Sequence, residues 1–305
     1  MLRFGLDLGG TTLNAALVEP SGKVVGARSI LAPRHPNWLA GAIEELYSLI
    51  CDAGGVSPSE IGVIGLGLPG LVDGDGTVLS SPHQPQLIGK NLTSVLERFG
   101  AKRVKIDNDV NCAARAVINE GFTSFCLITL GTGIGGAYVN DGHLVGSPRL
   151  WGGEYGHMTI VVGGERCACG KRGCAEMYAS GNYLRSEIFK AFASDQLSDL
   201  FDSMPAVDSE VIEKVLSSAR WHPRCKSILN SFSYHLAVVI SNLVEVMDPE
   251  RFFIGGGVSN SFHYFENEVI AAYESIMANG RLREKVPIER VVGGQFAGAI
   301  GAALV

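Results

Sequence analysis

One pattern occurs twice in this sequence and constrains the fold more than any other feature: strand, glycine turn, strand, hairpin turn, strand. In the first copy, alternating apolar residues predict a strand that runs into the glycine turn of Asp7–Thr12, and Pro20–Gly22 supplies the hairpin turn. In the second copy, a predicted strand runs into Gly131–Gly133, and Asn140–Gly142 supplies the hairpin turn. Because predicted helices and buried strands follow each copy, the sequence predicts an α/β chain with duplicated halves.

The repeat argues against a dinucleotide-binding fold, although one motif of that fold is present. Gly131, Gly133 and Gly136 have the Gly-x-Gly-x-x-Gly spacing of the dinucleotide fingerprint. In that fold a helix follows the motif and points its N-terminus at the pyrophosphate, whereas here a strand and a hairpin turn follow. We therefore do not expect NAD.

Length, charge and cysteine usage limit the class of protein. A chain of 305 residues favours two domains of about 150 residues each. The net charge is −6 and no run of Lys or Arg occurs, so a nucleic-acid partner is not expected. The most apolar segment, 236–247, is interrupted by Asn242 and Glu245, and no signal peptide is apparent, so no membrane partner is expected. Seven cysteines, four of them isolated, indicate a reducing cytoplasm.

Three glycine turns that end predicted strands could bind the phosphates of a nucleotide. Backbone N–H groups beside glycine can face an anion, threonine hydroxyls can donate, and Asp7 at a strand end can hold Mg²⁺ through water. Each turn alone could be only a glycine-rich loop, but three of them in duplicated halves indicate a nucleotide held between two domains. The predicted site consists of Asp7, Gly9, Gly10, Thr11 and Thr12, of Gly131, Thr132 and Gly133, and of Gly255, Gly256 and Gly257.

The motif IDNDVN, residues 106–111, places two carboxylates between a predicted strand and a predicted helix. Asp109 could be only the N-cap of that helix. It could instead be a general base that takes a proton from a hydroxyl attacking the γ-phosphate, with Asn108 orienting the hydroxyls. Phosphoryl transfer depends mostly on alignment and charge neutralisation, so one such carboxylate is sufficient.

A histidine and three cysteines in the segment Gly153–Glu176 are ligands of the type that zinc prefers. Glycines within the segment would let the thiolates converge, and the spacing is not that of a CxxC redox motif. A structural zinc site is therefore favoured, with the ligands His157, Cys167, Cys169 and Cys174. Glu154 and Glu176 do not belong in a closed zinc site, and together with the histidine they suit a polyhydroxylated ligand.

The motifs DLGGTT, GLPGLVDGDG, NDVN, LGTGIGG, GEYGH and CACGKRGCAE resemble those of the ROK family (repressors, open reading frames and sugar kinases) in order and spacing. The resemblance covers nearly the whole chain and is greatest to glucokinase-like and N-acetylhexosamine kinase members. It implies an actin/hexokinase-like fold of two ribonuclease H-like domains with an interdomain cleft. The expected domains are 1–118 with about 290–305, and 119–289, which contains the zinc loop 157–174.

The resemblance also implies an activity: ATP-dependent phosphorylation of a hexose hydroxyl, with glucose and its C6 hydroxyl first. N-acetylglucosamine, N-acetylmannosamine and allose are alternative substrates, and a non-catalytic sugar-binding regulator is an alternative of another class. The implied cofactors are ATP, Mg²⁺ and structural Zn²⁺, and the implied assembly is a homodimer or homotetramer. The implied base is Asp109, and the implied sugar-binding residues are Gly70, Asn108, Asp109, Glu154, His157 and Glu176.

Some residues depart from the family pattern. A lysine that often follows the first glycines is replaced by Thr12. Gln84 stands where an Asn-Leu pair is more usual, and Arg149 and Trp151 stand where small residues are frequent. Because the resemblance implies that both segments border the sugar, these departures weaken any assignment of glucose in particular.

Overall fold

The structure is a computed structural model that describes residues 1–10, 12–32, 38–81, 84–146, 152–203, 205–278 and 285–305. The chain divides into two compact units. The first comprises Met1–Thr123, Val139–Leu150 and Val291–Val305, and the second comprises Ser124–Tyr138 and Trp151–Arg290. The expected domains, 1–118 with about 290–305 and 119–289, stay a prediction.

The first unit is built on a five-stranded sheet with the strand order β3-β2-β1-β4-β7. The first three strands are antiparallel, and β1, β4 and β7 are parallel to one another. The elements are β1 (Leu2–Leu8), β2 (Thr12–Val18), β3 (Val24–Leu31), α1 (Trp38–Gly54), β4 (Ile61–Leu68), β5 (Leu71–Val72), β6 (Val78–Ser80), α2 (Leu92–Glu97), β7 (Arg103–Asn108) and α3 (Asp109–Asn119).

The register of this sheet brings the candidate site residues to one edge. Asp7 is opposite Asn14 across the β1–β2 hairpin, and it is in register with Gly67 of β4. Gly67 is in register with Asp107 of β7, and Asn108 follows at the end of that strand. Since the carboxyl ends of parallel strands meet at the same edge, the first glycine turn and the IDNDVN motif lie at the same end of the sheet.

The second five-stranded sheet has the order β10-β9-β8-β11-β12. When the strands of each sheet are numbered in chain order, both sheets have the order 3-2-1-4-5. β11 is parallel to both β8 and β12. The remaining helices and strands, of which α9 belongs to the first unit, are β8 (Phe125–Leu130), β9 (Ile134–Asn140), β10 (His143–Leu144), α4 (Glu176–Ala179), α5 (Gly181–Ala193), α6 (Ser209–Ser218), α7 (Pro223–Met247), β11 (Phe252–Gly255), α8 (Phe262–Met277), β12 (Ile288–Arg290) and α9 (Ala297–Ala303). The expected duplication is therefore present at the level of sheet topology.

The C-terminal helix α9 packs on the first sheet and on α3. Two glycines inside strands make this close approach possible: a Cβ on Gly5 would collide with the backbone of Ala299, and a Cβ on Gly65 would collide with the backbone of Ala302. The small residues of α9 and the strand glycines are thus parts of the same packing arrangement, and the helix returns the end of the chain to the first unit.

The core of the second unit is formed by α7 with neighbouring helices and the second sheet. Among the described residues, α7 is the one helix long and apolar enough to cross a membrane by length and composition, and 61% of its most apolar window is buried inside the protein. A buried core helix of a globular unit meets the same criteria, so this finding is weak evidence for a membrane span.

Candidate functional site

The first glycine turn joins β1 to β2. The N–H of Gly9 donates to the carbonyl of Thr12 at 2.8 Å, which closes the turn. Gly9, Gly10 and Thr12 are all partly accessible, so their polar groups can be reached from outside the sheet. Thr11, which was expected in the same loop, lies outside the described residues.

Asp7 is held in a crowded position directly before this turn. Its Oδ2 accepts from Asn14 Nδ2 at 3.4 Å. A Cβ on Gly298 would lie 2.5 Å from the Asp7 carboxyl carbon, so this contact requires glycine. Burial, helped by the nearby negative charge of Asp109, raises the pKa of Asp7 to about 7, and the bond from Asn14 opposes that rise. A buried carboxyl group whose pKa is raised by a second acidic group nearby is in a favourable environment for a divalent cation.

Asn108, and not Asp109, is the N-cap of α3. Asn108 Oδ1 accepts from the N–H groups of Val110 at 2.9 Å and Asn111 at 3.3 Å. Asp109 is the first residue of the helix itself. The alternative interpretation of Asp109 as only an N-cap is therefore wrong, because the side chain before it already satisfies the exposed N–H groups. A carboxylate in the first turn is further stabilised by the helix dipole.

Asp107 braces the turn that carries these two residues. Its Oδ1 accepts from the N–H of Asn108 at 2.7 Å and from Asn111 Nδ2 at 3.0 Å. Its Oδ2 forms an ion pair with Arg115 at 2.6 Å. The motif IDNDVN contains this carboxylate but indicates no role for it. Asp107 fixes the end of β7 against the first turns of α3, the helix that Asp109 begins.

The second glycine turn is covered by the N-terminus of α5. The N–H of Gly131 donates to the carbonyl of Gly133 at 3.0 Å. The N–H of Gly181 donates to the Gly131 carbonyl at 2.8 Å, and the N–H of Asn182 donates to the Thr132 carbonyl at 3.3 Å. The carbonyl oxygens and the N–H of Gly131 hold the turn, so the amide hydrogens of Thr132 and Gly133 are the groups that it can offer to an anion.

The third glycine segment follows β11 in the second unit. Gly256 has a positive φ of 79°, and a Cβ on it would lie 2.5 Å from the carbonyl of Leu130. The Gly256 carbonyl accepts from both the N–H and the hydroxyl of Ser259, at 3.0 and 2.7 Å. A Cβ on Gly257 would meet nothing within 4 Å, so the space above that residue is open. Gly255 ends the strand beneath them.

The four predicted zinc ligands converge. One ligand atom from each of them lies within 4.8 Å of the others, and we call this set the thiol–imidazole cluster: His157, Cys167, Cys169 and Cys174. The sulfur atoms of Cys169 and Cys174 are 3.6 Å apart, and Cys167 Sγ is 3.7 Å from His157 Nδ1. Gly170 and Gly173 have positive φ values of 91° and 74°, which allow the loop to fold back.

The electrostatics of the cluster favour a cation. Burial raises the pKa of the Cys167 thiol, and its bond to Glu176 raises it further. Burial also raises the pKa of Cys174, whereas the backbone N–H of Lys171 lowers the pKa of Cys169. Thiols become metal ligands only as thiolates, so a divalent metal would supply the positive charge that deprotonates the two buried groups.

His157 connects the cluster to the carboxylates on either side. A short turn over Tyr155–His157 lets the N–H of His157 donate to the carbonyl of Glu154 at 3.0 Å. Nε2 is 3.8 Å from Glu154 Oε2, and Nδ1 is 3.5 Å from Glu176 Oε1. The turn therefore places the side chains of Glu154 and His157 on one face. The imidazole thus directs Nδ1 toward the sulfur atoms and Nε2 toward Glu154.

Glu176 lies between the cluster and the second glycine turn. Its Oε1 accepts from the Cys167 thiol at 2.9 Å. Its Oε2 would lie 2.7 Å from a Cβ placed on Gly133, so the carboxylate occupies the space that this glycine leaves. Glu176 begins α4 and is partly accessible. One side chain therefore contacts both features that were identified separately from the sequence.

The family resemblance associates Gly70 and the segment of Gln84 with the sugar, and both residues make contacts within the first unit. Gly70 has a φ of 143° and is packed against the carbonyl of Ser80 at the start of the β5–β6 hairpin. Gln84 is buried and donates from Nε2 to the carbonyl of Gly9 at 3.1 Å. Arg149 and Trp151 lie outside the described residues. The sequence carried no signal for the Gln84 contact, since 75 residues separate the two partners.

The repeated sheet order and the glycine turns at strand ends define an α/β chain of the actin/hexokinase-like class. A solved ROK family glucokinase from Streptomyces griseus, in complex with glucose and AMPPNP, is similar with a TM-score of 0.85 and 26% identity, and the match covers 99% of this chain and 98% of that one. The chain is also 28% identical to a glucokinase of Halalkalibacterium halodurans, over 97% of this chain and 92% of that protein. It is 26% identical to an N-acetyl-D-glucosamine kinase of Yersinia enterocolitica, over 98% and 97% of the two chains.

The profile of the ROK family matches residues 3–305. The chain belongs to the ROK family.

Proposed function

We propose that this chain is an ATP-dependent sugar kinase that transfers the γ-phosphoryl group of ATP to a hydroxyl of a hexose, with glucose and its C6 hydroxyl as the first acceptor to test. The proposal is supported by the family, by relatives named glucokinase, and by the similar structure that contains glucose and AMPPNP. The observation that carries it is the position of Asp7 and Asp109 at the same sheet edge as the Gly9–Thr12 turn.

In this reaction Asp109 is the general base. Its carboxylate accepts the proton of the acceptor hydroxyl while the hydroxyl oxygen attacks the γ-phosphorus. The bond between the γ-phosphorus and the bridging oxygen breaks, and ADP leaves. Asp107 and Asn108 hold the first turn of α3, so the carboxylate does not have to be oriented during the reaction.

The glycine turns bind the phosphates in this proposal. Gly9 and Gly131 shape the two turns, since their N–H groups close them. The remaining residues of the turns supply amide hydrogens and hydroxyls: Gly10, Thr11 and Thr12 in the first unit, and Thr132 and Gly133 in the second. Gly255–Gly257 lie beside the adenosine. Asp7 would hold Mg²⁺ through water, and when bound this ion neutralises charge on the phosphates. The raised pKa of Asp7 fits this role, because a cation at the carboxylate offsets both its burial and its repulsion from Asp109.

In this proposal the sugar is bound by hydrogen-bond acceptors that contact its hydroxyl groups. We assign Glu154, His157 and Glu176 to this role in the second unit, and Asn108 and Asp109 in the first, with Gly70 nearby. Asn108 Oδ1 already caps α3, so its NH₂ group is what this side chain offers to a sugar oxygen. Several fixed acceptors around one ligand give specificity for a polyhydroxylated molecule.

The residues of the thiol–imidazole cluster fit a structural Zn²⁺. Zinc–sulfur bonds of about 2.3 Å in a tetrahedral site separate two sulfurs by about 3.8 Å, close to the 3.6 Å between Cys169 and Cys174. His157 would bind through Nδ1, which faces Cys167 Sγ. Zinc would then fix the imidazole that contacts Glu154, so metal binding and sugar binding would share one side chain.

The identity of the sugar is the second part of the proposal. A relative named N-acetyl-D-glucosamine kinase matches nearly the full length of the chain, so N-acetylglucosamine and N-acetylmannosamine are tested beside glucose and allose. A sugar-binding regulator without turnover is the alternative of another class. It would need neither Asp109 nor the phosphate turns, so their presence together favours the kinase.

An ATP-coupled assay over a panel of hexoses and N-acetylhexosamines tests this function. We expect turnover of at least one of them by zinc-loaded protein in the presence of Mg²⁺, with stoichiometric ADP. Binding of a sugar without any ADP formation would support the regulator instead, and neither binding nor turnover with the whole panel would refute the sugar-binding proposal.

We also propose a cytoplasmic location and a homodimer or homotetramer. Three of the proposed metal ligands are thiols that must stay reduced to bind zinc, which a reducing compartment ensures. The oligomeric state stays a prediction, and light scattering coupled to gel filtration measures it directly.

A further inference from the structure

Gln84 lies in the segment that the family resemblance associated with the sugar, yet its side chain contacts the first glycine turn. It is 1% exposed. Its Nε2 donates to the carbonyl of Gly9 at 3.1 Å, and its Oε1 accepts from Gln86 Nε2 at 2.5 Å. The Gly9 carbonyl can only accept, so it fixes the orientation of this buried amide: the reverse orientation would place Oε1 against the Gly9 oxygen.

The backbone of Gln84 is fixed as well. Its N–H donates to the carbonyl of Ser81 at 3.3 Å, and its own carbonyl accepts from the N–H of Leu87 at 2.9 Å. The Ser81 hydroxyl donates to the carbonyl of Pro69 at 2.9 Å. The residue that carries the donor to Gly9 is therefore hydrogen-bonded through both its backbone N–H and its carbonyl, so less ordering is needed when a ligand binds.

The consequence for the glycine turn follows from the planarity of the peptide bond. The carbonyl of Gly9 and the N–H of Gly10 belong to one trans peptide, so they point in opposite directions. A donor that holds the carbonyl on one side directs the N–H of Gly10 to the other side. Without that donor, a peptide between two glycines can rotate and present its carbonyl oxygen to an anion.

We propose that Gln84 is a positioning residue for phosphate binding: its side-chain amide holds the Gly9–Gly10 peptide so that the N–H of Gly10 faces the phosphates of ATP. The inference rests on the proposed kinase function, in which this turn binds phosphate. It gives Gln84 a role toward the nucleotide instead of the role toward the sugar that the resemblance implied.

Three variants separate this role from a structural one. Gln84→Leu removes the donor and keeps most of the volume. Gln84→Glu keeps the shape, removes the donor and places a carboxylate against the Gly9 carbonyl, which favours the rotated peptide. Gln196→Leu, at an exposed glutamine of the second unit, is the matched control.

The experiment measures the affinities of ADP and of adenosine by titration, and the KM for ATP and for the sugar by coupled assay. We expect Gln84→Leu to weaken ADP about 10-fold, as for one lost neutral hydrogen bond, and Gln84→Glu to weaken it about 100-fold, as for one lost preorganised donor. Adenosine affinity should stay within about twofold for both Gln84 variants, because adenosine carries no phosphate. The sugar KM of both variants should also stay within about twofold. Every parameter of the control Gln196→Leu should stay within the same limit.

Three outcomes would overturn the inference: unchanged ADP affinity in both Gln84 variants, an equal loss of ADP and adenosine affinity, or a rise confined to the sugar KM. The last outcome would restore the assignment to the sugar. The nucleotide titrations do not require turnover, so a wild-type protein that binds ADP but phosphorylates no sugar would refute the kinase function while still testing Gln84.

Discussion

The Cys167 thiol donates to Glu176 Oε1 at 2.9 Å, and the other oxygen of the same carboxylate lies over Gly133. A proposed metal ligand, a proposed sugar-binding residue and the second glycine turn are thereby in contact through one side chain. Within the second unit, a change at the thiol–imidazole cluster has a direct route to the groups that would bind substrate.

The first prediction concerns loss of the metal. Cys169→Ser should lose bound zinc and weaken sugar binding by at least 10-fold, because His157 would no longer be fixed against Glu154. Metal content is measured by mass spectrometry and sugar affinity by calorimetry. Cys51→Ala, in the first unit, should keep about one zinc per chain and unchanged sugar affinity. Zinc loss with full sugar affinity would mean that the cluster is only structural.

The second prediction concerns the base. Asp109→Asn should lower kcat by about 10² to 10⁴, the range for loss of a general base, while sugar affinity changes by less than about threefold. Asn keeps the size of the side chain but cannot accept the proton. Single-turnover assays and calorimetry measure the two quantities. Asp75→Asn, at an exposed position of the β5–β6 hairpin, is the control and should retain full activity. Activity above a tenth of the wild-type value in Asp109→Asn contradicts the assignment.

The elements that local patterns specify could be predicted from the sequence. The helical repeat of apolar residues that begins at Trp38 corresponds to α1, and the two glycine-turn hairpins correspond to β1–β2 and β8–β9. The convergence of the four side chains of the thiol–imidazole cluster was also predictable, because they lie within 18 residues and are of the types that zinc prefers. These features depend on short stretches of chain, where residue type alone carries the signal.

Contacts across long stretches of sequence were not predictable. The bond from Gln84 to Gly9 depends on how a loop after β6 folds against the turn after β1. Asn108 and Asp109 are adjacent, and both residue types are favourable N-caps. The sequence does not tell which of the two side chains accepts from the N–H groups at the start of α3. Residue type alone predicts neither the Gln84–Gly9 contact nor the identity of the N-cap, because both depend on the packing of the surrounding residues.

The third prediction separates capping from sugar binding at Asn108. Asn108→Asp keeps an oxygen for the N–H groups of Val110 and Asn111 but loses the NH₂ donor, so the melting temperature should change little while the sugar KM rises about 10-fold. Asn108→Ala should show the same rise and also lose about 1 kcal/mol of stability with the cap. Thermal unfolding and steady-state kinetics measure the two effects. Equal sugar KM values in wild type and Asn108→Asp would remove Asn108 from the sugar site.

The fourth prediction concerns the pH dependence of stability through Asp7. Its pKa is raised to about 7 in the folded protein, from an ordinary value of 3.8. Between these two values the folded state binds a proton that the unfolded state does not, so this group stabilises the metal-free protein at low pH and that contribution is lost as the pH rises through 7. By this linkage, Asp7→Asn should be more stable than wild type at pH 8, by up to about 4 kcal/mol, and by only about 1 kcal/mol at pH 4.5. Urea unfolding in EDTA at the two pH values measures the difference, and Asp75→Asn should show no such pH-dependent gain. Equal stability of wild type and Asp7→Asn at pH 8 would show that the folded protein does not disfavour the charged carboxylate.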